Sequence, residues 1–327
     1  MITGTEGDPA LVETVAAALG KRPGAWAAAS VSETAVRTCA SSAGLGSDFE
    51  IGSVSKAVTG LLYVDALARG DVRSHTTLGE CLDLGGNPIG NIPLAHLSTH
   101  TSGLPRLPPG NQALRRTWAL LRHGTNPYRE TLPEFLALAR RARLANAAGE
   151  ARPAYSNLGF ALLGHAVAAA AGPSYAELLR IRLVEPLGLT STYVPADAAD
   201  LRPGAVMGTS RSGRVVEPWA NLAIAPAGGI RSSVRDLAVL LSALLDGSAP
   251  GIQALEPVRD FSGRAARIGA GWLILETPKG PVTWHNGGTG GYRSWLGLDR
   301  AKHRGFAIVS ANTRSVDCCG FECLAAL

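Results

Sequence analysis

Apolar positions fall at helical spacing near the start of the chain. Leu11, Val12, Val15 and Leu19 share one face of a helix predicted over Pro9–Leu19, stopped by Gly20 with Pro23 beyond it. Two short apolar runs, 25–31 and 35–40, flank Ser32-Glu33-Thr34 and predict a β-hairpin. Phe49-Glu50-Ile51-Gly52 then leads into a long helical pattern over 53–68 that closes at Gly70.

From there to about residue 225 strand-like alternation is scarce. The pattern predicts helical pieces at 94–98, 111–121, 132–144, 157–170 and 175–184. After Gly228-Gly229-Ile230 comes a helix over 233–245. Strand-like segments follow at 271–275, 282–285, 294–298 and 306–310, with a closing helix at 316–327. Strands towards both ends with helices between them predict one α/β domain built from residues 1–75 and 226–327, interrupted by a mostly helical inserted domain over 76–225.

Composition narrows the partners more than the fold. With 327 residues, 46% of them apolar and 17% charged, the chain can bury a sizeable core. The net charge of +5 is scattered, and its densest run, Arg140-Arg141-Ala142-Arg143, reads as a solvated helix face. No basic stripe or nucleic-acid module is present, so no nucleic-acid partner is expected. The five cysteines are odd in number and lack metal-type spacing, and adjacent Cys318 and Cys319 cannot easily bridge each other. Idle reduced thiols are expected, with no cofactor and no metal; the His96/His100 pair has no Glu-x-x-His companion. The first residues show neither the basic nor the apolar stretch of a signal peptide, and no apolar run is long enough to span a bilayer. A cytoplasmic protein without a membrane partner is expected.

Three short motifs carry candidate chemistry. In Ser53-Val54-Ser55-Lys56 the serine and lysine, three apart on a helix, share a face. A serine hydroxyl needs a base within reach, and the start of a helix favours a developing oxyanion. Lysine serves as that base only where burial and nearby positive charge depress its pKa. The second motif is Tyr155-Ser156-Asn157, where a phenol can relay protons and an amide can hold both Lys56 and a substrate carbonyl. The third is His285-Asn286-Gly287-Gly288 at the end of a strand. Its glycines admit a substrate backbone, and one N–H there can complete an oxyanion hole with that of Ser53. Each motif alone reads as readily as ordinary structure: a capping serine beside a surface lysine, a packed loop tyrosine, a glycine-rich turn.

Taken in order, the three motifs resemble the penicillin-recognising serine enzymes, and most closely the class C β-lactamase and β-lactamase-related esterase branch, whose second motif is Tyr-x-Asn. The stretches 97–104, 185–192, 227–233 and 285–294 resemble that branch as well, so the likeness runs from about residue 9 to the C-terminus. It implies a β-lactamase/transpeptidase-like fold, an antiparallel sheet flanked by helices. It also implies Ser53 as the acylated nucleophile, with Lys56 and Tyr155 sharing proton transfer and Asn157 positioning substrate and Lys56. His285 would hold the third-motif position, and the N–H groups of Ser53 and Gly288 the oxyanion. The sequence departs from the β-lactamase pattern there, reading His-Asn-Gly where a lysine followed by Thr/Ser-Gly is usual. The cation that would attract a substrate carboxylate is missing, which points to the esterase, transesterase and D-aminopeptidase members. An imidazole at this position predicts a rate that changes near pH ~6–7.

The expected activity is therefore hydrolysis or transfer of an acyl group from a small-molecule ester, thioester or amide, to water or to an amine or alcohol acceptor. A β-lactamase or D-alanyl carboxypeptidase is the first alternative, and a catalytically silent binding or scaffold member the second. The segments 105–130 and 207–225, with Trp118, Tyr128 and Trp219, are expected to wall the pocket.

Overall fold

The computed structural model describes residues 4–20, 24–109, 118–120, 122–145, 152–263 and 265–327. The helix expected over 111–121 falls largely outside them.

The hairpin forms as β2 (Trp26–Val31) and β3 (Val36–Ser41), and β1 (Thr5–Gly7) adds to the far side of β3. Two further strands, β4 (Asp48–Glu50) and β5 (Arg231–Ser233), pair apart from the main sheet. The chain then supplies β6 (Arg259–Ser262), β7 (Ala266–Ile268), β8 (Leu273–Thr277), β9 (Gly280–Gly288), β10 (Arg293–Asp299) and β11 (Arg304–Ser310). The resulting nine-stranded sheet has the order β1-β3-β2-β11-β10-β9-β8-β7-β6, antiparallel at every step. The sequence pattern does not predict β6, at the sheet's edge, or its neighbour β7. They are short, arginine-bearing and half exposed, so they lack the apolar alternation that marks a strand.

Helices cover both faces of the sheet. On one side lie α1 (Pro9–Leu19), capped by Asp8, and the C-terminal helix over Asp317–Ala326; Leu11, Val15, Trp26, Ala28, Trp295, Ile308, Cys323 and Leu324 form the core there. On the other lie α2 (Val54–Arg69) and α4 (Val234–Asp246), with α3 (Asn157–Ala171) packed on α2, over a larger core that takes Ala27, Ala29 and Val31 from the same β2 strand. With both faces covered, β2 is buried at all six positions, which is why its sequence is a continuous apolar run rather than an alternation.

The helix expected over 132–144 is confined to Leu132–Ala139, and that over 175–184 passes through a π-helical turn at Arg180–Val184 into Glu185–Leu187. Among the described residues no helix is long and apolar enough to cross a membrane.

Candidate active site

Ser53 stands at the start of α2 with helical backbone angles (φ −66°, ψ −7°), and its hydroxyl does not cap the helix. The hydroxyl is instead hydrogen-bonded to Lys56, with Oγ and Nζ 3.0 Å apart. Nζ also donates to the carbonyl of Ala227 at 2.5 Å and lies 4.8 Å from the centre of the Tyr155 ring. Lys56 is fully buried, and among the described residues no carboxylate pairs with it. Burial therefore drives its pKa well below the usual lysine value, and the positive charge of Arg106 adds to the effect. Thr59, one turn on, bonds to the Pro226 carbonyl and the Tyr175 hydroxyl at 2.7 Å each. These contacts clamp α2 onto the short Ala225–Gly228 helix that supplies Lys56 with its acceptor.

Tyr155 sits against both groups. Burial raises its phenol to about 12, and a hydrogen-bond contact with Ser53 pulls the other way. The phenol therefore stays protonated at neutral pH. Asn157 opens α3, its side chain in contact with Tyr128 and its buried Oδ1 without a partner among the described residues. An unpaired buried amide oxygen can accept from a substrate N–H. The expected bond from Asn157 to Lys56 does not form: among the described residues the lysine bonds to Ser53 and Ala227 instead.

His285 lies on β9, buried, with Nδ1 2.6 Å from the Asn286 carbonyl. Burial, reinforced by the nearby Lys56, lowers its pKa to about 3. This corrects the expectation of a titration near pH 6–7, which assumed a solvated ring; the imidazole is neutral throughout that range.

Close approach explains the glycines. A Cβ on Gly287 would fall 2.1 Å from the Ile51 carbonyl oxygen and 3.0 Å from the Ser53 nitrogen, so only glycine lets β9 run against the nucleophile's loop. Gly52, at φ +50°, turns the chain beside Gly288. Thr289 N–H donates to the Tyr292 carbonyl, so the alternation of an antiparallel ladder puts Gly288 opposite Arg293 in a non-hydrogen-bonded pair. Its N–H is thereby directed away from β10. The Ser53 N–H likewise has no acceptor among the described residues. Two free N–H groups beside one hydroxyl suit an oxyanion.

The Beta-lactamase family model matches residues 12–317. The chain belongs to the beta-lactamase family. Members of the family are serine hydrolases, and at that level the chain is a serine acyl hydrolase. It is 29% identical over 289 residues to the D-alanyl-D-alanine-carboxypeptidase/endopeptidase AmpH of Escherichia coli (strain K12), covering 81% of this chain and 71% of that protein. It is 30% identical to a beta-lactamase-like protein of Arthroderma benhamiae, covering 77% of this chain and 46% of that one. A solved class C beta-lactamase superposes with a TM-score of 0.81 at 18% identity, covering 97% of this chain and 96% of the other. The beta-lactamase/D-alanine carboxypeptidase of Pseudomonas syringae gives 0.79 at 18%, covering 93% and 95%. Both establish the β-lactamase/transpeptidase-like fold.

Within this beta-lactamase fold the structure adds residues that the motifs did not single out. His100, weighed from sequence only as half of a metal-like pair with His96, has a φ of +59° and lies 4.6 Å from the Tyr155 ring centre. Its Nδ1 accepts from the Ser156 N–H, so it braces the second motif and is a positioning residue. Arg106 lies on the outer side of Tyr155, 5.2 Å from the ring centre. Tyr128 and Trp219, two of the residues expected to wall the pocket, pack edge to face at 4.9 Å, with Tyr128 hydrogen-bonded to Asn157 and Trp219 beside Gly290. Trp118 does not join them; it is 58% exposed and packs on His123. Among the described residues no side-chain cluster is arranged to hold a metal. A cavity of about 620 Å³ behind Ala225 is lined by Leu132, His165, Pro173 and Leu222, outside the reach of Ser53.

Proposed function

We propose that the protein is an esterase or transacylase for small esters, thioesters or amides, working through an acyl-enzyme on Ser53. The observation that carries this reading is the buried Lys56, without a carboxylate partner among the described residues, held 3.0 Å from the serine hydroxyl. In its neutral form the amine accepts the Ser53 proton as Oγ bonds to the substrate carbonyl carbon. The carbonyl electrons move onto oxygen, where the N–H groups of Ser53 and Gly288 stabilise the charge. Tyr155, protonated at neutral pH, donates to the departing alcohol, thiol or amine and is reprotonated from Lys56. Water or an alcohol or amine acceptor then attacks the ester on Ser53 by the reverse path. Asn157 takes part through its unpaired Oδ1, and neutral His285 with Gly287 shapes the strand that receives the substrate. A cytoplasmic setting, with a small-molecule acyl donor as the partner, belongs to the same proposal.

A second reading, β-lactam or D-alanyl peptide hydrolysis, is favoured by the names of the relatives and opposed by the neutral third-motif side chain. The experiment is turnover of 4-nitrophenyl butyrate with intact-mass measurement, in wild type and Ser53→Ala. Gain of one butyryl group and turnover, both lost in Ser53→Ala, is the expected result. Modification that persists in Ser53→Ala sinks the assignment. Rapid turnover of a chromogenic cephalosporin with slow turnover of esters selects the second reading.

A further inference from the structure

Among the described residues, Arg106 is the cationic side chain near Ser53 that is both exposed and uncommitted. Lys56 and His285 are buried and pushed towards neutrality. Arg293, beside Gly288, is committed to the carbonyls of Thr289 and Tyr292 and lies near Asp317. Arg231 is locked between Asp48 and Glu50. Arg106 is exposed, and among the described residues its guanidinium has neither a carboxylate nor a carbonyl partner.

Its backbone is fixed where its side chain is free. The Arg106 carbonyl accepts the N–H groups of Asn157 at 2.9 Å and Leu158 at 3.2 Å, and the Pro105 carbonyl accepts the Ser156 hydroxyl at 2.7 Å. The residue is thus tied to the first turn of α3, the turn that carries Asn157. Its guanidinium lies against the same Tyr155 ring that Lys56 approaches. A planar cation held over an aromatic face, with its N–H fork open, is built to receive a carboxylate.

We infer that Arg106 is a specificity residue that binds an anionic group, a carboxylate, on the acyl substrate. The inference rests on the serine acyl-enzyme reading and names its substrate class. It also relocates the anion-binding role: the third motif lacks a cation, and one stands on the second-motif side instead. The carboxylate has two sources, the acyl half or the leaving half, and the test separates them.

Three esters are compared at a pH plateau: neutral 4-nitrophenyl butyrate, mono-4-nitrophenyl glutarate with its carboxylate on the acyl half, and 4-butyryloxybenzoate with its carboxylate on the leaving half. The expected result is that Arg106→Gln lowers kcat/KM for one of the two charged esters, relative to the butyrate, by about ten-fold or more, and that Arg106→Lys recovers part of it. The ester affected identifies the half that carries the charge. Binding of glutarate and of 4-hydroxybenzoate to Ser53→Ala protein, with and without Arg106→Gln, is measured by calorimetry and needs no turnover. A comparable ten-fold weakening of one anion, steeper at low salt, supports the assignment. Unchanged rate ratios together with anion binding indifferent to Arg106→Gln overturn it. Absence of Ser53 acylation by any ester removes the catalytic reading alone, and the binding measurement then decides Arg106 by itself.

Discussion

Two cations lie buried on either side of the loop that presents Ser53, and their surroundings are opposite. Arg231 on β5 donates to Asp48 at 2.5 Å and reaches Glu50 at 3.4 Å, with further bonds to the carbonyls of Asp48 and Val206. Burial alone would push the guanidinium pKa down, but Tyr292, Glu50 and Asp48 outweigh it and hold it above its ordinary value. Lys56 is as deeply buried, yet it meets a hydroxyl, one carbonyl, an aromatic ring and a second cation. The surroundings push one pKa up and the other down. The difference separates a structural cation from a base, and it comes from where the carboxylates are placed rather than from depth.

The largest effect that tests this contrast is at Lys56. Lys56→Met should lower acylation of Ser53 by roughly 10²–10⁴-fold, the usual contribution of a positioned base, without lowering thermal stability. The folded pKa of Lys56 lies below its unfolded value of 10.5, so in the window between them the unfolded chain binds more protons and the wild type gains stability as pH rises. The advantage of Lys56→Met in Tm should therefore shrink from pH 7 towards pH 10. An advantage that grows instead would mean Lys56 is charged in the folded state.

Next in size is Arg231→Met, which leaves Asp48 and Glu50 buried without their cation and should cost about 3–5 kcal/mol by denaturant unfolding. A loss under about 1 kcal/mol, the level of an exposed pair, would erase the distinction between the two sites.

The smallest effect concerns His285. With its pKa lowered to about 3, it contributes no step between pH 6 and 7. The kcat/KM profile should rise with pH as Lys56 loses its proton, and any inflection near neutrality should survive in His285→Gln. An inflection that disappears with the histidine would return the imidazole to the chemistry.

The same contrast explains what the sequence could reveal. Ser53, Lys56, Tyr155, Asn157, His285 and the two glycines sit in three short motifs, and the structure brings them to one place because α2, α3 and β9 converge there. The long helices and the central strands β2, β9, β10 and β11 were readable from their apolar patterns. The pair β4 and β5 was not, because Asp48, Glu50 and Arg231 look like loop residues until their charges are seen to satisfy one another. His100 and Arg106 were passed over for a related reason. Their contacts with Tyr155 span about fifty residues of sequence, and no local pattern records such a distance. The low pKa of His285 was equally hidden, since a lone histidine letter does not disclose burial.

Gly287 also bears on how this enzyme can change. Any side chain there collides with Ile51, and Ser294 Oγ already holds that same carbonyl at 2.6 Å, so the wall formed by residues 51–53 and 285–288 has almost no mutational freedom. The opposite wall, made of Arg106, Tyr128 and Trp219, meets the site with its side chains, while the Arg106 carbonyl and the Trp219 N–H make backbone bonds that ask for no particular side chain at those positions. A lineage, or a directed-evolution library, that seeks a new acyl substrate therefore has one wall to vary and one to leave untouched. Diversity placed at 106, 128 and 219 should yield folded variants with altered selectivity, while the same diversity at 287 should yield mostly unfolded chains.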